Sequence, residues 1–199
     1  MSNKLVKDNY NKGAENYLAG RDKFKNTRYL EIFNELLPEQ PTILDIGCGA
    51  GIPVDEYFIS HGHKIIGIDI SEEQIKLAKN AIPEGSFFVQ DMSELKNAQY
   101  KVDAVVSFYA IFHTDRKRHK IIFSMIHSFL PKGGKILVTM GSSNYEGEED
   151  DFFGMNMFWS QYDSGKNRKI IQDSGFKILL DEIDSNGRER HQIVIAEKI

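Results

Sequence analysis

Residues 42–51 read TILDIGCGAG, and the change of texture inside this stretch decides the fold. Thr42 to Ile46 is β-branched and aliphatic and too short for an ordinary helix, which predicts a strand covered on both faces. Gly47, Gly49 and Gly51 then recur at every second position. Glycine reaches backbone angles that other residues resist and lets a ligand come close to the main chain; a helix starting near Gly51 would offer free N–H groups to a polar ligand. The stretch reads as a buried strand emptying into a nucleotide-type ligand loop.

Two details narrow the ligand. The dinucleotide fingerprint is G-x-G-x-x-G, whereas the spacing here is G-x-G-x-G, with Ile52 where the third glycine would fall. Asp45 also precedes the loop, where its charge would repel a pyrophosphate but attract an amino group. A zwitterionic or cationic ligand fits better. An acid followed by x-G-x-G-x-G after a strand resembles the first motif of the class I S-adenosylmethionine-dependent methyltransferases. That resemblance implies that Asp45 helps to hold the methionyl amine and that Gly47, Gly49 and Gly51 pass close to the methionine part of the cofactor.

The chain has 199 residues, 41% of them hydrophobic, which fits one α/β domain with a sizeable core. A net charge of −4 gives no electrostatic footprint for a phosphate backbone, so nucleic acid is not expected as a partner. No apolar run is long enough to span a bilayer, and the start MSNKLVKDNYNK lacks the apolar stretch of a signal peptide; no membrane association and a cytoplasmic location are expected. The single cysteine, Cys48, excludes an intrachain disulfide and reads as a small filler, with no histidine near it in sequence to activate it.

Before the loop, Tyr29, Ile32, Phe33, Leu36 and Leu37 share one helical face over 28–37, and Pro38 and Pro41 end that helix. Tyr10 and Tyr17 are either surface aromatics of an N-terminal helical cap or, as the resemblance implies, part of helices that cover the cofactor and shape the acceptor pocket. After the loop come a helix over 52–60 and a second buried strand, KIIGIDI, over 64–70. Asp69 at its end can accept hydrogen bonds from both hydroxyls of a ribose, and Ser71 with Gln74 forms a capping box for a helix over 72–80 that leaves Asp69 free for this. The resemblance makes Asp69 the ribose ligand and packs Ile70 on the adenine. SFFVQ, 86–90, predicts a third strand, and the resemblance gives Asp91 the adenine amino group and Met92 a backbone N–H to the ring.

A fourth strand over 102–107 ends at Ser107, which the resemblance sets on the cofactor side, and runs into Phe108–Tyr109–Ala110–Ile111–Phe112–His113. The N-P-P-Y and Pro-Cys signatures of nucleobase methylation are absent. The segment resembles small-molecule methyltransferases of the type 11/25 kind instead. His113 is a candidate general base or acceptor ligand, since imidazole titrates near working pH, or else a cap or loop-bonding residue. Thr114 or Asp115 should cap a helix ending near Leu130, and LPKGGKILVT, a fifth strand, resembles a late structural motif of the family.

Residues 141–162 differ in kind. A flexible turn is followed by Glu146, Glu148, Glu149, Asp150 and Asp151, an acid run that reads as a solvated loop, and then by an apolar segment containing Phe152, Phe153, Met155, Met157, Phe158 and Trp159. That segment reads as a lid, with Phe153 and Trp159 facing the acceptor alongside Tyr10, Tyr17 and Phe24. A helix over 163–174 and strands over 176–183 and 192–196, joined through Asn186–Gly187, close the chain as a hairpin, so the last strand should be antiparallel. His61 and His63 have a metal-like spacing but precede the second strand, away from the ligand edge, and no metal is expected.

The expected fold is a single domain, 1–199: a Rossmann-like, seven-stranded, mostly parallel sheet with an antiparallel last strand, helices on both faces, a helical cap over 1–40 and a candidate lid over 141–162. The resemblance implies S-adenosylmethionine as cofactor and methyl transfer to a small-molecule acceptor. A cofactor-binding regulatory module without catalysis is an alternative, and a nicotinamide oxidoreductase is disfavoured by the loop spacing and Asp45.

Overall fold

The computed structural model describes residues 2–20, 27–152, 154–185 and 190–199. Phe24, Phe153 and the Asn186–Gly187 turn therefore lie outside the described residues. Two helices, α1 (Ser2–Gly20) and α2 (Thr27–Glu35), precede an alternating series: β1 (Thr42–Ile46), α3 (Val54–Ser60), β2 (Lys64–Asp69), α4 (Glu72–Ala81), β3 (Ser86–Val89), β4 (Ala104–Ser107), α5 (His119–Phe129) and β5 (Lys135–Gly141). Then follow β6 (Tyr145–Phe152), β7 (Met155–Gln161), α6 (Ser164–Asp173), β8 (Phe176–Asp184) and β9 (His191–Lys198).

Seven strands form one sheet in the order β3-β2-β1-β4-β5-β9-β8. Its first five members run parallel, and β9 inserts antiparallel between β5 and β8. This is the seven-stranded, mostly parallel sheet with an antiparallel last strand that the sequence predicts. Side chains alternate along each strand, so the two faces bury different sets. Leu44, Ile46, Val105 and Val138 pack with Phe123 and Ile126 of α5 and Ile171 of α6. Ile43, Val106 and Leu137 face Phe33 of α2, Phe58 of α3 and Ile75 of α4 on the other side. Strand order reverses between β1 and β4, and the crevice at that point, beyond the carboxyl ends of the strands, is where open α/β sheets bind ligands.

The acid run is not a loop. Strands β6 (Tyr145–Phe152) and β7 (Met155–Gln161) pair antiparallel as a sheet of their own. In β7 the alternation Met157, Trp159 is real, and both side chains are buried with Phe112 and with Val6 of α1. Most of β6 is exposed, so it carries no apolar pattern by which a strand could be read. Charges along a strand with one open edge discourage pairing with other chains. Glu146 is held by Arg116 at 3.1 Å and accepts from Ser160 Oγ at 2.7 Å.

Other element starts shift for local reasons. The helix expected from residue 52 begins at Val54, after Pro53. Asp115 accepts from the Lys117 N–H and caps the turn Arg116–Arg118, so α5 starts only at His119. No described helix is long and apolar enough to cross a membrane.

Candidate functional site

The glycine loop is fastened to the end of β2. Gly47 and Cys48 donate to the carbonyl of Ile68 at 2.7 and 3.0 Å, and Gly49 donates to Asp69 Oδ2 at 3.0 Å. Gly47, at φ +81°, has no room for a side chain: a Cβ there would lie 2.2 Å from that of Ala110. Gly51 serves packing instead, since its Cβ would strike Ile82 at 2.8 Å. Asp55 is buried in the first turn of α3, where its charge would oppose an anion at that helix N-terminus. The Cys48 thiol is buried among Asp55, Asp69 and Asp45, and burial followed by those charges pushes its pKa well up, so it is an inert filler.

Gly47, Gly49, Asp69, Ile70, Asp91 and Met92 line one cavity, and Tyr10, Tyr17 and His113 close it from the other side. Asp69 Oδ1 accepts from the Ser71 N–H at 2.9 Å, so the carboxylate is not left wholly free by the capping box, although Ser71 Oγ does accept from Gln74 N–H at 3.1 Å. The cap hydroxyl cannot serve its own backbone N–H, and Asp69 takes that donor. Burial raises the Asp69 pKa, and the N–H groups of Ser71, Gly49 and Ile70 offset part of the rise. Each carboxylate oxygen can accept more than one donor, which leaves capacity toward the cavity. Asp91 accepts from Ser93 N–H at 2.7 Å and from Asn3 Nδ2 of α1 at 2.7 Å.

Asp45, Ser107 and Trp159 stand outside this lining. Asp45 is buried and shares a face of β1 with Ile43. Ser107 is fully buried and donates to the Ile46 carbonyl at 2.7 Å, tying β4 to β1 beneath the cavity. Trp159 is one layer further out than expected: it stacks on Phe112 at 5.2 Å, lies 4.5 Å from the His113 ring, and lines a separate cleft of the hairpin. It supports the wall and does not form it, because the β7 alternation turns it toward Phe112.

His113 is 5% exposed. Its Nδ1 lies 2.8 Å from the carbonyl of Phe158, an acceptor only, so Nδ1 carries the hydrogen. Nε2 is then the acceptor for the Tyr10 hydroxyl at 3.2 Å. Burial lowers the pKa of His113 to about 4, partly offset by the Phe158 carbonyl, and the ring is neutral at pH 7. The expectation of a histidine titrating near working pH is thus corrected by its burial. His119 behaves alike: burial takes it to about 4. Both folded values lie below that of the unfolded chain, so their contribution to stability is full above pH 6.5 and is lost as pH falls toward 4. The loss should be about 2 kcal/mol per imidazole by pH 5. The melting temperature should drop between pH 7 and pH 5, and less so in His119→Met; a flat profile over that interval would contradict the burial of these rings.

Gln74, Asn3, Gln90 and Tyr109 also line the cavity and were not singled out as site residues in the sequence. Tyr109 adopts φ +55°, a strained conformation for a bulky residue and a signal invisible in sequence. Gln74 is 1% exposed, and neither its Oε1 nor its Nε2 has a partner among the described residues. A glycine cradle open to a close-lying ligand, a carboxylate at the strand end and an orphaned buried carboxamide together suit a polar nucleoside ligand.

Comparison with known proteins points the same way. A family model described as a methyltransferase domain matches residues 43–134. Putative methyltransferase YqeM of Bacillus subtilis is 24% identical over 176 residues, covering 78% of this chain and 68% of that protein. A probable 18S rRNA (guanine-N(7))-methyltransferase of Dictyostelium discoideum is 31% identical over 112 residues, covering 51% of this chain and 39% of the relative. Among solved structures, magnesium protoporphyrin IX methyltransferase (ChlM) from Synechocystis PCC 6803 with bound SAM superposes with a TM-score of 0.77 at 18% identity, over 100% of this chain and 98% of that one. The likeness to the last shows a shared fold.

Proposed function

We propose, for a chain that belongs to the S-adenosylmethionine-dependent methyltransferases of class I fold, that the acceptor is a small neutral or cationic molecule bound beneath α1. The observation that carries this is the pairing of Tyr10 with His113 across the cavity, which roofs the site with α1 and leaves a compact chamber. Asp69 would hold the ribose, Ile70 would pack on the adenine, and Asp91 with the Met92 N–H would meet the adenine edge. Gly47 and Gly49 would pass beneath the methionyl part. When bound, the cofactor supplies a methyl group on a cationic sulfonium whose departure leaves a neutral thioether.

The protein's own part is alignment and exclusion of water, which α1 and the β6–β7 hairpin perform by closing over the crevice. The described lining contains Asp69 and Asp91 but neither lysine nor arginine, so it disfavours an anionic acceptor. The exposed acids of β6 lie on the same hairpin whose Phe158 carbonyl orients His113, and they oppose the approach of a nucleic-acid backbone. With a single buried cysteine, the protein suits a reducing compartment, and the cytoplasm is its proposed location.

The rRNA relative favours a second reading, and one experiment separates the two. Release of S-adenosylhomocysteine is measured with the protein, S-adenosylmethionine and, in parallel, a small-molecule extract split by ion exchange or total RNA. Turnover is expected with the neutral or cation-exchange fraction. Turnover only with RNA, or only with strongly anionic metabolites, would reject the proposal.

A further inference from the structure

Gln74 is a polar side chain where packing alone would favour an apolar one. It stands on α4, among Ile75 and Ala78 of the buried helix face, yet it brings a carboxamide whose two polar atoms have no partner among the described residues. Burying such a group unsatisfied is costly in the ligand-free protein. Its backbone N–H has a structural duty, the bond to Ser71 Oγ, but this needs no particular side chain. The carboxamide lines the cavity, and its Oε1 lies 3.6 Å from the point where a Cβ on Gly49 would sit. Gly49 N–H is itself bonded to Asp69 Oδ2, so the carboxylate and the carboxamide converge on one glycine from two elements.

Resting on the cofactor reading above, we propose that Gln74 and Asp69 read the ribose diol together, with Gln74 as the donor. A carboxylate only accepts, so it can take the hydroxyl hydrogens of a diol but can do nothing for their lone pairs. A carboxamide carries two N–H donors and supplies what is missing. The neutral diol suits this pair better than the carboxylate end of the methionyl group, which Asp69 would repel. The Gln74 carboxamide then has no partner among the described residues and gains one on binding, so stability has been exchanged for affinity at this position.

That exchange gives a signature which a structural role cannot produce. In Gln74→Met, of similar length and apolar, the ligand-free protein should melt no lower than the native one, while its affinity for S-adenosylhomocysteine, measured by calorimetry, should fall about tenfold. The 2′-deoxy and 3′-deoxy analogues of S-adenosylhomocysteine complete a cycle: the loss on removing one of these hydroxyls should be large in the native protein and should shrink in the variant. Gln74→Glu, which keeps the shape but lacks the donor, should show the same loss of affinity and guards against a misfolded first variant. Equal losses for both analogues in native and variant proteins would overturn the role of Gln74 alone. A native protein that fails to bind S-adenosylhomocysteine at all would overturn the cofactor reading beneath it.

Discussion

Gly47→Ala, a single added methyl group, is expected to weaken S-adenosylhomocysteine binding by more than a hundredfold while leaving most of the fold intact. Two effects combine. The backbone at Gly47 has φ +81°, which for an L-residue costs about 1–2 kcal/mol. The new Cβ would also lie 2.2 Å from that of Ala110, so the glycine loop and the segment leading to His113 must separate. Overpacking of this kind costs about 1–3 kcal/mol, and here it is taken up by the two segments that form the floor of the cavity. Gly49→Ala is a control at the next glycine. Its φ of +56° is also positive, but the nearest atom to the added group is Gln74 Oε1 at 3.6 Å, an ordinary contact, so the loss should be smaller. Calorimetry on both variants, with circular dichroism to verify folding, gives the order. Binding by Gly47→Ala within twofold of native, or weaker binding by Gly49→Ala than by Gly47→Ala, would show that the loop geometry is wrong.

The sequence exposed the parts of the site that local physics dictates. Gly47 and Gly49 were legible because only glycine serves such backbone angles and contacts, and Asp69 because it ends β2 on the ligand edge; Ile70, Asp91 and Met92, which follow β2 and β3, were named through the family resemblance. Asp45 was legible as an acid before the loop, and it lies buried on the Ile43 face of β1, outside the cavity lining. Trp159 was rightly read as buried, yet the face it buries depends on the pairing of β7 with β6, and β6 has no apolar pattern to announce it. Asn3 could not be found by reading, since its bond to Asp91 spans 88 positions and exists only because α1 lies across the sheet edge. The same holds for the state of His113. Its residue type suggested a group titrating near neutrality, and only the burial supplied by α1, Phe112, Phe152 and Trp159 lowers it.

That burial frames what His113 should do. An imidazole with a pKa of about 4 is too weak a base to ionise an acceptor in advance. It is well placed to accept a hydrogen bond at Nε2 and to take the proton as the acceptor bonds to carbon and its N–H or O–H becomes acidic. The Phe158 carbonyl fixes the tautomer that makes this lone pair available, and the Tyr10 hydroxyl at 3.2 Å either carries the proton or yields its place to the acceptor. His113→Ala should therefore lower kcat by about 10²–10⁴-fold, with affinity for S-adenosylhomocysteine nearly unchanged. Tyr10→Phe keeps the ring that packs on Tyr17 and His113 and removes only the hydroxyl; a fall of about tenfold in kcat fits loss of one hydrogen bond. The pH profile discriminates further. In the native enzyme kcat should hold as the pH falls through 6.5 and decline only toward 4, because the neutral ring is the competent form. A native profile breaking near 6.5 would mean an imidazole in contact with water, and an unchanged rate for His113→Ala at saturating acceptor would leave His113 as a wall residue.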